Sequence, residues 1–212
     1  MEGKPTLRGV LHHWAALCSL CAGAVLVAMA PSPLAAWSAA VYVASAVILF
    51  GVSAAYHRPT WGPRGRTWMR RADHAAIFVL IAGTYTPICL LGLPADVGKP
   101  LVVGVWIAAA VGVLQSMLWV SAPKLVAALI YIAFGAAAVP YFPVLRAALT
   151  PAQLMLIVLG GVIYGAGAMA YVFKRPDLKP GVFGYHELFH AATLVGGALH
   201  FAAIVTLVRS AA

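Results

Sequence analysis

The chain has 212 residues, of which 63% are hydrophobic and 9% are charged, and its formal net charge at pH 7 is +9. Soluble domains contain about 45–50% apolar residues, so this composition excludes an ordinary water-soluble protein and predicts one that lies in a bilayer. No separate basic domain carries the positive charge, which argues against nucleic acid as a partner and leaves membrane lipids as the expected one.

Seven apolar runs are long enough to cross a hydrocarbon core about 30 Å thick, which takes about 20 helical residues. In chain order they are approximately Val10 to Ala30, Leu34 to Tyr56, Ala72 to Leu93, Leu101 to Val120, Leu125 to Phe142, Ala152 to Phe173 and Tyr185 to Val208. Prolines, among them Pro94 and Pro100, fall in the breaks, where a missing N–H does least harm. The sequence therefore predicts a single domain over residues 1–212, an all-α polytopic membrane protein built as a seven-transmembrane-helix bundle.

Basic residues predict the orientation, because positively charged loops are retained on the cytoplasmic side. When alternate loops are assigned to opposite sides, one side collects 11 basic residues and the other collects 3. The first set is Lys4, Arg8, Arg58, Arg64, Arg66, Arg70, Arg71, Lys124, Lys174, Arg175 and Lys179, and the second is Lys99, Arg146 and Arg209. We therefore predict a cytoplasmic amino terminus and an external carboxyl terminus. The first run can also be read as a secretory signal ending at Ala28-Met29-Ala30, but its cleavage would remove His12.

Small residues predict close helix contacts. Gly161 and Gly165 form a G-x-x-x-G in the sixth run, and Gly196-Gly197 lies in the seventh. Such residues let the backbones of membrane helices approach each other. We expect close packing at both places.

Polar side chains at the predicted cytoplasmic ends of three helices predict a metal site. The second run ends at His57, the third begins near Asp73, and the seventh begins near His186. His186 and His190 are four residues apart, so their side chains share one helix face, and Ser53 and His57 have the same spacing. Zinc takes three or four ligands, with imidazole nitrogens at about 2.0–2.1 Å. His57, His186 and His190 would supply three ligands to Zn²⁺, the cofactor that we expect.

Two other interpretations of these residues remain open at this point. Histidines at helix ends can lie among lipid headgroups without a chemical role, but acidic residues at the edges of apolar spans, here Asp73 and Glu187, mark functional sites. His186-Glu187-Leu188-Phe189-His190 also spells H-E-x-x-H, with Glu187 in the general-base position of a zinc protease. Intramembrane proteases of the site-2 type add a motif with Asn and Asp on a later helix, whereas this chain has no Asn.

The polar motifs occur in a recognisable order along nearly the whole chain. They are Ser53-Ala-Ala-Tyr-His57, Arg71-Ala-Asp73-His74 leading into Ile81-Ala-Gly-Thr-Tyr-Thr-Pro87, Gly184-Tyr-His186-Glu-Leu-Phe-His190 and Leu199-His200-Phe201. This combination resembles the hemolysin III family, the bacterial branch of the progestin and adipoQ receptor (PAQR) group. That group lies within a wider set of seven-helix membrane hydrolases that includes alkaline ceramidases. The resemblance implies an integral protein of the bacterial cytoplasmic membrane.

The resemblance also implies residue roles. His57, His186 and His190 look like the zinc ligands of the family, and Ser53 and Asp73 look like its catalytic polar pair beside the metal. Asp73 would orient or deprotonate a water whose pKa zinc lowers toward about 7. The implied function is a zinc-dependent hydrolase of membrane lipid amides or esters that opens toward the cytoplasmic leaflet and serves membrane homeostasis. The alternatives are a non-catalytic lipid sensor with a structural zinc, and a pore-forming cytolysin.

The chain departs from the family pattern in its first helix. Arg8 stands four residues before His12, where the family often has an acidic or hydroxyl residue. An inward arginine would repel a cation, whereas a lipid phosphate would be a suitable partner for it. We expect His13 and His74 at the membrane interface, and His200, about 15 Å deeper than His190 by helical rise, in helix packing. The substrate and the oligomeric state stay open.

Overall fold

Long helices make up nearly all of the chain in the computed structural model, which describes residues 5–211. They are α1 (Val10–Ala28), α2 (Pro33–His57), α3 (Pro63–Gly92), α4 (Ala95–Leu118), α5 (Lys124–Gly135), α6 (Phe142–Ala148), α7 (Pro151–Phe173) and α8 (Tyr185–Ser210). Helices α2, α3 and α7 begin at a proline, which suits the first turn because its N–H groups have no partner within the helix. Within residues 5–211, seven segments are long and apolar enough to cross a membrane, with α5 to α6 forming one of them. The predicted all-α, seven-span membrane architecture is confirmed.

The fifth span is broken, whereas the sequence predicted one run from Leu125 to Phe142. Helix α5 ends at Gly135, and a 3₁₀ turn over Val139–Tyr141 precedes α6. Backbone groups within a membrane need partners inside the protein. Tyr85 of α3 supplies them, because its hydroxyl donates to the Gly135 carbonyl at 2.8 Å and accepts from the Ala138 N–H at 2.9 Å.

Two helices begin earlier than predicted. Helix α3 starts at Pro63 instead of near Ala72, because the four arginines in residues 64–71 are good helix formers and no proline interrupts that stretch. Its 30 residues extend about 45 Å, more than the hydrocarbon core of about 30 Å. Helix α4 starts at Ala95 and continues through Pro100, so Pro100 does not lie in a break as we had predicted.

Helix α1 is packed into the bundle, although its sequence also matches a secretory signal. A Cβ atom on Gly23 of α1 would lie 2.2 Å from Cγ1 of Val43 in α2, so the two backbones lie close together. The side chains of Ala15, Leu26 and His12 are buried. Removal of α1 would therefore expose part of the core.

Helices α7 and α8 also approach closely, but not through the predicted G-x-x-x-G. A Cβ on Gly161 or Gly165 would meet no atom within 4 Å among the residues that the structure describes, so that prediction is wrong. The contact lies one residue earlier, where a Cβ on Gly160 would lie 2.4 Å from Cδ2 of His200. Gly196, which we did predict, lies against Gly160, since its Cβ would be 3.0 Å from the Gly160 carbonyl oxygen.

The helix termini gather at two ends of the bundle. At one end the Ser32 hydroxyl donates to the Ala211 carbonyl at 3.0 Å, joining the start of α2 to the residue after α8. At the other end the His57 and His186 rings join the end of α2 to the start of α8. The basic residues that we assigned to the cytoplasm lie toward this second end, with Lys4 outside the described residues. The side of the membrane that each end faces stays a prediction from charge.

Candidate metal centre

Three imidazole rings at the ends of two helices lie close together. His57 is the last residue of α2, and His186 and His190 lie in the first two turns of α8. The four-residue spacing puts His186 and His190 on the same face of α8, with their ring centroids 4.7 Å apart. The centroid of the His57 ring lies 4.7 Å from that of His186 and 5.0 Å from that of His190. The structure therefore brings together the three histidines that the sequence singled out.

The separation of the ring nitrogens fits a metal ion. One nitrogen from each of His57, His186 and His190 lies within 4.8 Å of the others. The Nε2 atoms of His57 and His186 are 3.4 Å apart. Two nitrogens at about 2.05 Å from one tetrahedral ion would be separated by about 3.3 Å. This donor set therefore suits a divalent ion such as zinc.

Asp73 and Ser53 lie beside these nitrogens. Oδ2 of Asp73 is 3.8 Å from Nε2 of His57, the same nitrogen that faces His186. The buried side chain of Ser53 lies beside the Asp73 carboxylate. Asp73 thus lies on the inner side of the His57 ring, where a ligand or a water would be. In many metal sites a carboxylate instead accepts a hydrogen bond from the histidine nitrogen that faces away from the metal. Asp73 does not have that position.

Glu187 has a structural position instead of the general-base position of a zinc protease. Its side chain is 1% exposed, and its Oε1 accepts from Nε of Arg8. Its Oε2 accepts from the N–H of Gly184 at 3.0 Å, which caps the start of α8. Both carboxylate oxygens therefore bind groups other than the histidines. The charge of Arg8, whose partner we had left open, is compensated by Glu187.

The remaining histidines differ in their surroundings. His12 is 3% exposed and its ring stacks on that of His190, with a centroid separation of 3.9 Å and an angle of 4° between the planes. His13 is partly exposed and touches Trp14, and His74 is partly buried. His200 lies within 3.0 Å of the Ile157 carbonyl oxygen through its Nε2, which confirms its predicted role in packing.

The sequence did not point to two further groups beside the cluster. The Tyr171 ring of α7 lies 5.2 Å from the His186 ring, measured between centroids. The ammonium group of Lys124 lies 4.2 Å from the centroid of the Tyr171 ring, which is a cation–π contact. A lysine and a tyrosine at the same predicted membrane face were the available signal, but helical periodicity alone does not show which of them turn inward.

Gly9 brings the segment before α1 against this cluster. Its φ of 76° is in the left-handed region that favours glycine. A Cβ at this position would lie 2.8 Å from Cβ of His57 and 3.1 Å from Cγ of Arg58. Glycine therefore allows the chain to pass close to the end of α2 and to place Arg8 beside Glu187.

Comparison with known proteins gives the family. Residues 2–201 match the family described as Haemolysin-III related. The chain belongs to this family. It is 30% identical over 195 residues to the Hemolysin-3 homolog of Bacillus subtilis (strain 168), an alignment that covers 91% of this chain and 88% of that protein.

Two further relatives extend the match. Hemolysin-3 of Bacillus cereus is 30% identical over 129 residues, which cover 61% of this chain and 56% of that protein. The Heptahelical transmembrane protein ADIPOR2 of Oryza sativa subsp. japonica is 29% identical over 192 residues, which cover 82% of each chain. The resemblance to the hemolysin III family within the PAQR group is confirmed. Together with the seven apolar helices among residues 5–211, it makes this chain an integral membrane protein.

Proposed function

We propose that this protein is a zinc-dependent hydrolase of membrane lipid amides or esters in the bacterial cytoplasmic membrane. The observation that carries the proposal is the convergence of three histidine nitrogens within 4.8 Å of one another, with a carboxylate oxygen 3.8 Å from one of them. Three imidazoles with a nearby carboxylate are a donor set typical of catalytic zinc sites, which keep one position open. A zinc ion in such a site would polarise the carbonyl group of the substrate and lower the pKa of a bound water toward neutral pH.

His57, His186 and His190 hold the metal in this proposal, and Asp73 handles the proton. Hydrolysis adds the oxygen of a water to the carbonyl carbon and a proton to the departing nitrogen or oxygen. The Asp73 carboxylate lies on the inner side of His57, so it can accept the proton of the water and pass it to the leaving group. Ser53 lies beside Asp73, and in this proposal its hydroxyl would donate to the carboxylate and orient it.

The position of the cluster supports a lipid substrate. The three histidines lie at the ends of membrane-spanning helices, where the polar linkage of a lipid would lie close to them and its acyl chains would stay in the hydrocarbon core. The basic residues at this end of the bundle place it on the cytoplasmic side in our prediction. A role in membrane homeostasis is consistent with such a substrate.

Asp73→Asn is the sharpest test of the hydrolase. Purified protein in lipid nanodiscs is given a ceramide-like substrate, and the released fatty acid and the bound zinc are measured. We expect the wild type to release fatty acid and Asp73→Asn to lose about 10²–10⁴-fold of that rate, because general acid–base catalysis contributes about this much. The variant should retain its zinc. Undiminished turnover in Asp73→Asn would contradict the proton-transfer role.

A non-catalytic lipid sensor with a structural zinc is the second candidate. The observation that favours it is the same Asp73 oxygen, 3.8 Å from His57 Nε2, because a carboxylate that joins three imidazoles would complete a closed four-ligand site. Bound zinc without turnover on a broad panel of lipid amides and esters would favour this candidate over the hydrolase.

Cytolysis is a third candidate, which rests on the names of two relatives alone. Vesicles that contain the protein and an encapsulated dye are the test. Leakage from these vesicles, absent from protein-free controls and from vesicles with another seven-helix protein, would support pore formation.

A further inference from the structure

His12 forms a fourth imidazole beside the proposed metal ligands. It lies on α1, far in sequence from the other rings, and it is 3% exposed. Its ring lies parallel to the His190 ring, with 3.9 Å between centroids and 4° between planes. The other contact of the ring is with Phe50 of α2, edge to face at 5.1 Å. His12 therefore contacts both an aromatic side chain of α2 and a proposed ligand of α8.

The geometry of this stack excludes His12 as a ligand of the same ion. The lone pair of an imidazole nitrogen lies in the plane of its ring, and a zinc ion bound to His190 would lie near the His190 plane at about 2.0–2.1 Å from the nitrogen. The plane of the His12 ring is parallel to the plane of the His190 ring and lies above or below it, with 3.9 Å between the centroids. The lone pairs of His12 lie in its own plane and therefore do not point at an ion in the His190 plane. The histidines whose nitrogens converge are His57, His186 and His190, and His12 is not among them.

The nitrogens of His12 do not explain its burial either. Neither Nδ1 nor Nε2 forms a hydrogen bond of good geometry with the residues that the structure describes, although the backbone of His190 lies beside the ring. A buried polar atom without a partner is unfavourable, so a ring held only for packing is better supplied by an apolar side chain. The contact that the structure gives to His12 is the face of its ring, and that face lies on His190.

We propose that His12 is a positioning residue that fixes the plane of the His190 imidazole for metal binding. The proposal rests on the proposed metal centre. His190 can rotate about its side-chain bonds, and only a narrow range of ring orientations directs its nitrogen at the position shared with His57 and His186. A flat ring packed against its face removes the other orientations, and Phe50 in turn contacts the His12 ring edge to face.

The test is zinc affinity in a set of His12 variants. Metal-free protein in detergent is titrated with zinc against a competing chelator, and cobalt is used in parallel because its absorption reports the geometry of the ligands. His12→Ala and His12→Leu remove the ring and should weaken zinc binding about tenfold, the lower end of the loss seen when groups that orient metal ligands are changed. His12→Phe keeps a flat ring and should stay within about threefold of the wild type.

His13→Ala is the matched control, because His13 is the neighbouring imidazole and lies against Trp14. It should leave zinc affinity and the cobalt spectrum unchanged. The melting temperature of the metal-free protein separates a loss of affinity from a loss of fold. His12→Phe should melt no lower than the wild type, since it replaces two unpartnered nitrogens with carbon.

The outcomes separate the two proposals. Equal zinc affinity in wild type and His12→Ala overturns the positioning role while the metal centre stands. A loss in His12→Phe as large as that in His12→Ala, with an unchanged melting temperature, also overturns it, because the nitrogens would then be what matters. Absence of zinc from the wild type overturns the metal centre and the positioning role together.

Discussion

At the scale of single residues, the proposed centre consists of polar groups that each contact a residue from another part of the chain. His57 faces His186 with 3.4 Å between their Nε2 atoms, and His190 stacks on His12. Ser53 lies beside Asp73, and Arg8 pairs with Glu187. Ionisable groups within apolar spans are costly unless they are paired, so these contacts stabilise the bundle as well as the site.

Glu187→Gln separates the structural role of this residue from a protease-like role. Glutamine can still cap α8, but it leaves the Arg8 guanidinium without its counter-charge. We expect the free energy of unfolding in mixed micelles to fall by about 1–3 kcal/mol, the usual cost of losing a hydrogen bond between charged groups. Zinc content and lipid turnover per folded molecule should not change.

Asp96→Asn, an exposed acidic residue at the opposite end of the bundle, serves as the control for the Glu187 variant. Because Asp96 lies in the first turn of α4, the free energy of unfolding should fall by less than about 1 kcal/mol. A Glu187→Gln protein with full stability and no turnover would show that Glu187 acts in the chemistry after all.

The three convergent histidines were predictable, and the pairing of Arg8 with Glu187 was not. In a seven-span protein, the end of the second apolar run, where His57 lies, and the start of the seventh, where His186 lies, must be at the same membrane face. The spacing of His186 and His190 puts both on one side of a helix. Arg8 and Glu187 are 179 residues apart in sequence. Their pairing depends on the turn at Gly9, and neither composition nor periodicity reports the path of such a short segment.

At the scale of elements, helices α2 and α8 carry the three histidines, and the other helices hold these two in position. Helices α1 and α3 pack on α2, and α7 packs on α8. The broken fifth span is held by the Tyr85 hydroxyl. The sequence predicted that span as continuous, because hydropathy does not distinguish a helix from a turn whose backbone is satisfied by a distant side chain.

The contact of α7 with α8 can be tested with two adjacent glycines. Gly160→Ala and Gly161→Ala both gain the higher helix propensity of alanine. An added Cβ at Gly160 would lie 2.4 Å from the His200 ring, whereas at Gly161 it would meet nothing within 4 Å among the described residues. We expect Gly160→Ala to be less stable than Gly161→Ala by about 1–3 kcal/mol, a usual cost of overpacking.

Thermal unfolding of the two glycine variants in the same detergent gives the comparison. Equal melting temperatures would mean that the α7 and α8 contact does not lie at Gly160. The contact lies at Gly160 and not at the predicted Gly161, because a G-x-x-x-G pattern in the sequence does not define the rotation of a helix about its axis.

At the scale of the whole molecule, charge predicts how the bundle sits in the membrane. We expect the end with the histidines to face the cytoplasm, because 11 of the 14 basic residues were assigned to that side. Single cysteines placed at Gly62 and at Asp96, in a background without Cys18, Cys21 and Cys89, report the two ends. Both positions are exposed and lie at the starts of α3 and α4.

A membrane-impermeant maleimide applied to intact bacterial cells should label Asp96→Cys at once. It should label Gly62→Cys only after the cells are opened. Labelling in the reverse order would place the histidine cluster on the external side and would contradict a substrate from the cytoplasmic leaflet.

The zinc content of purified protein tests the central claim most directly. Metal analysis after exhaustive dialysis should find about one zinc per chain in the wild type and in the His13→Ala control, since a site with three imidazoles binds zinc tightly. His190→Ala, which removes one of the three convergent nitrogens, should contain almost none while it still folds. Equal zinc in the wild type and in His190→Ala, or none in either, would contradict the account.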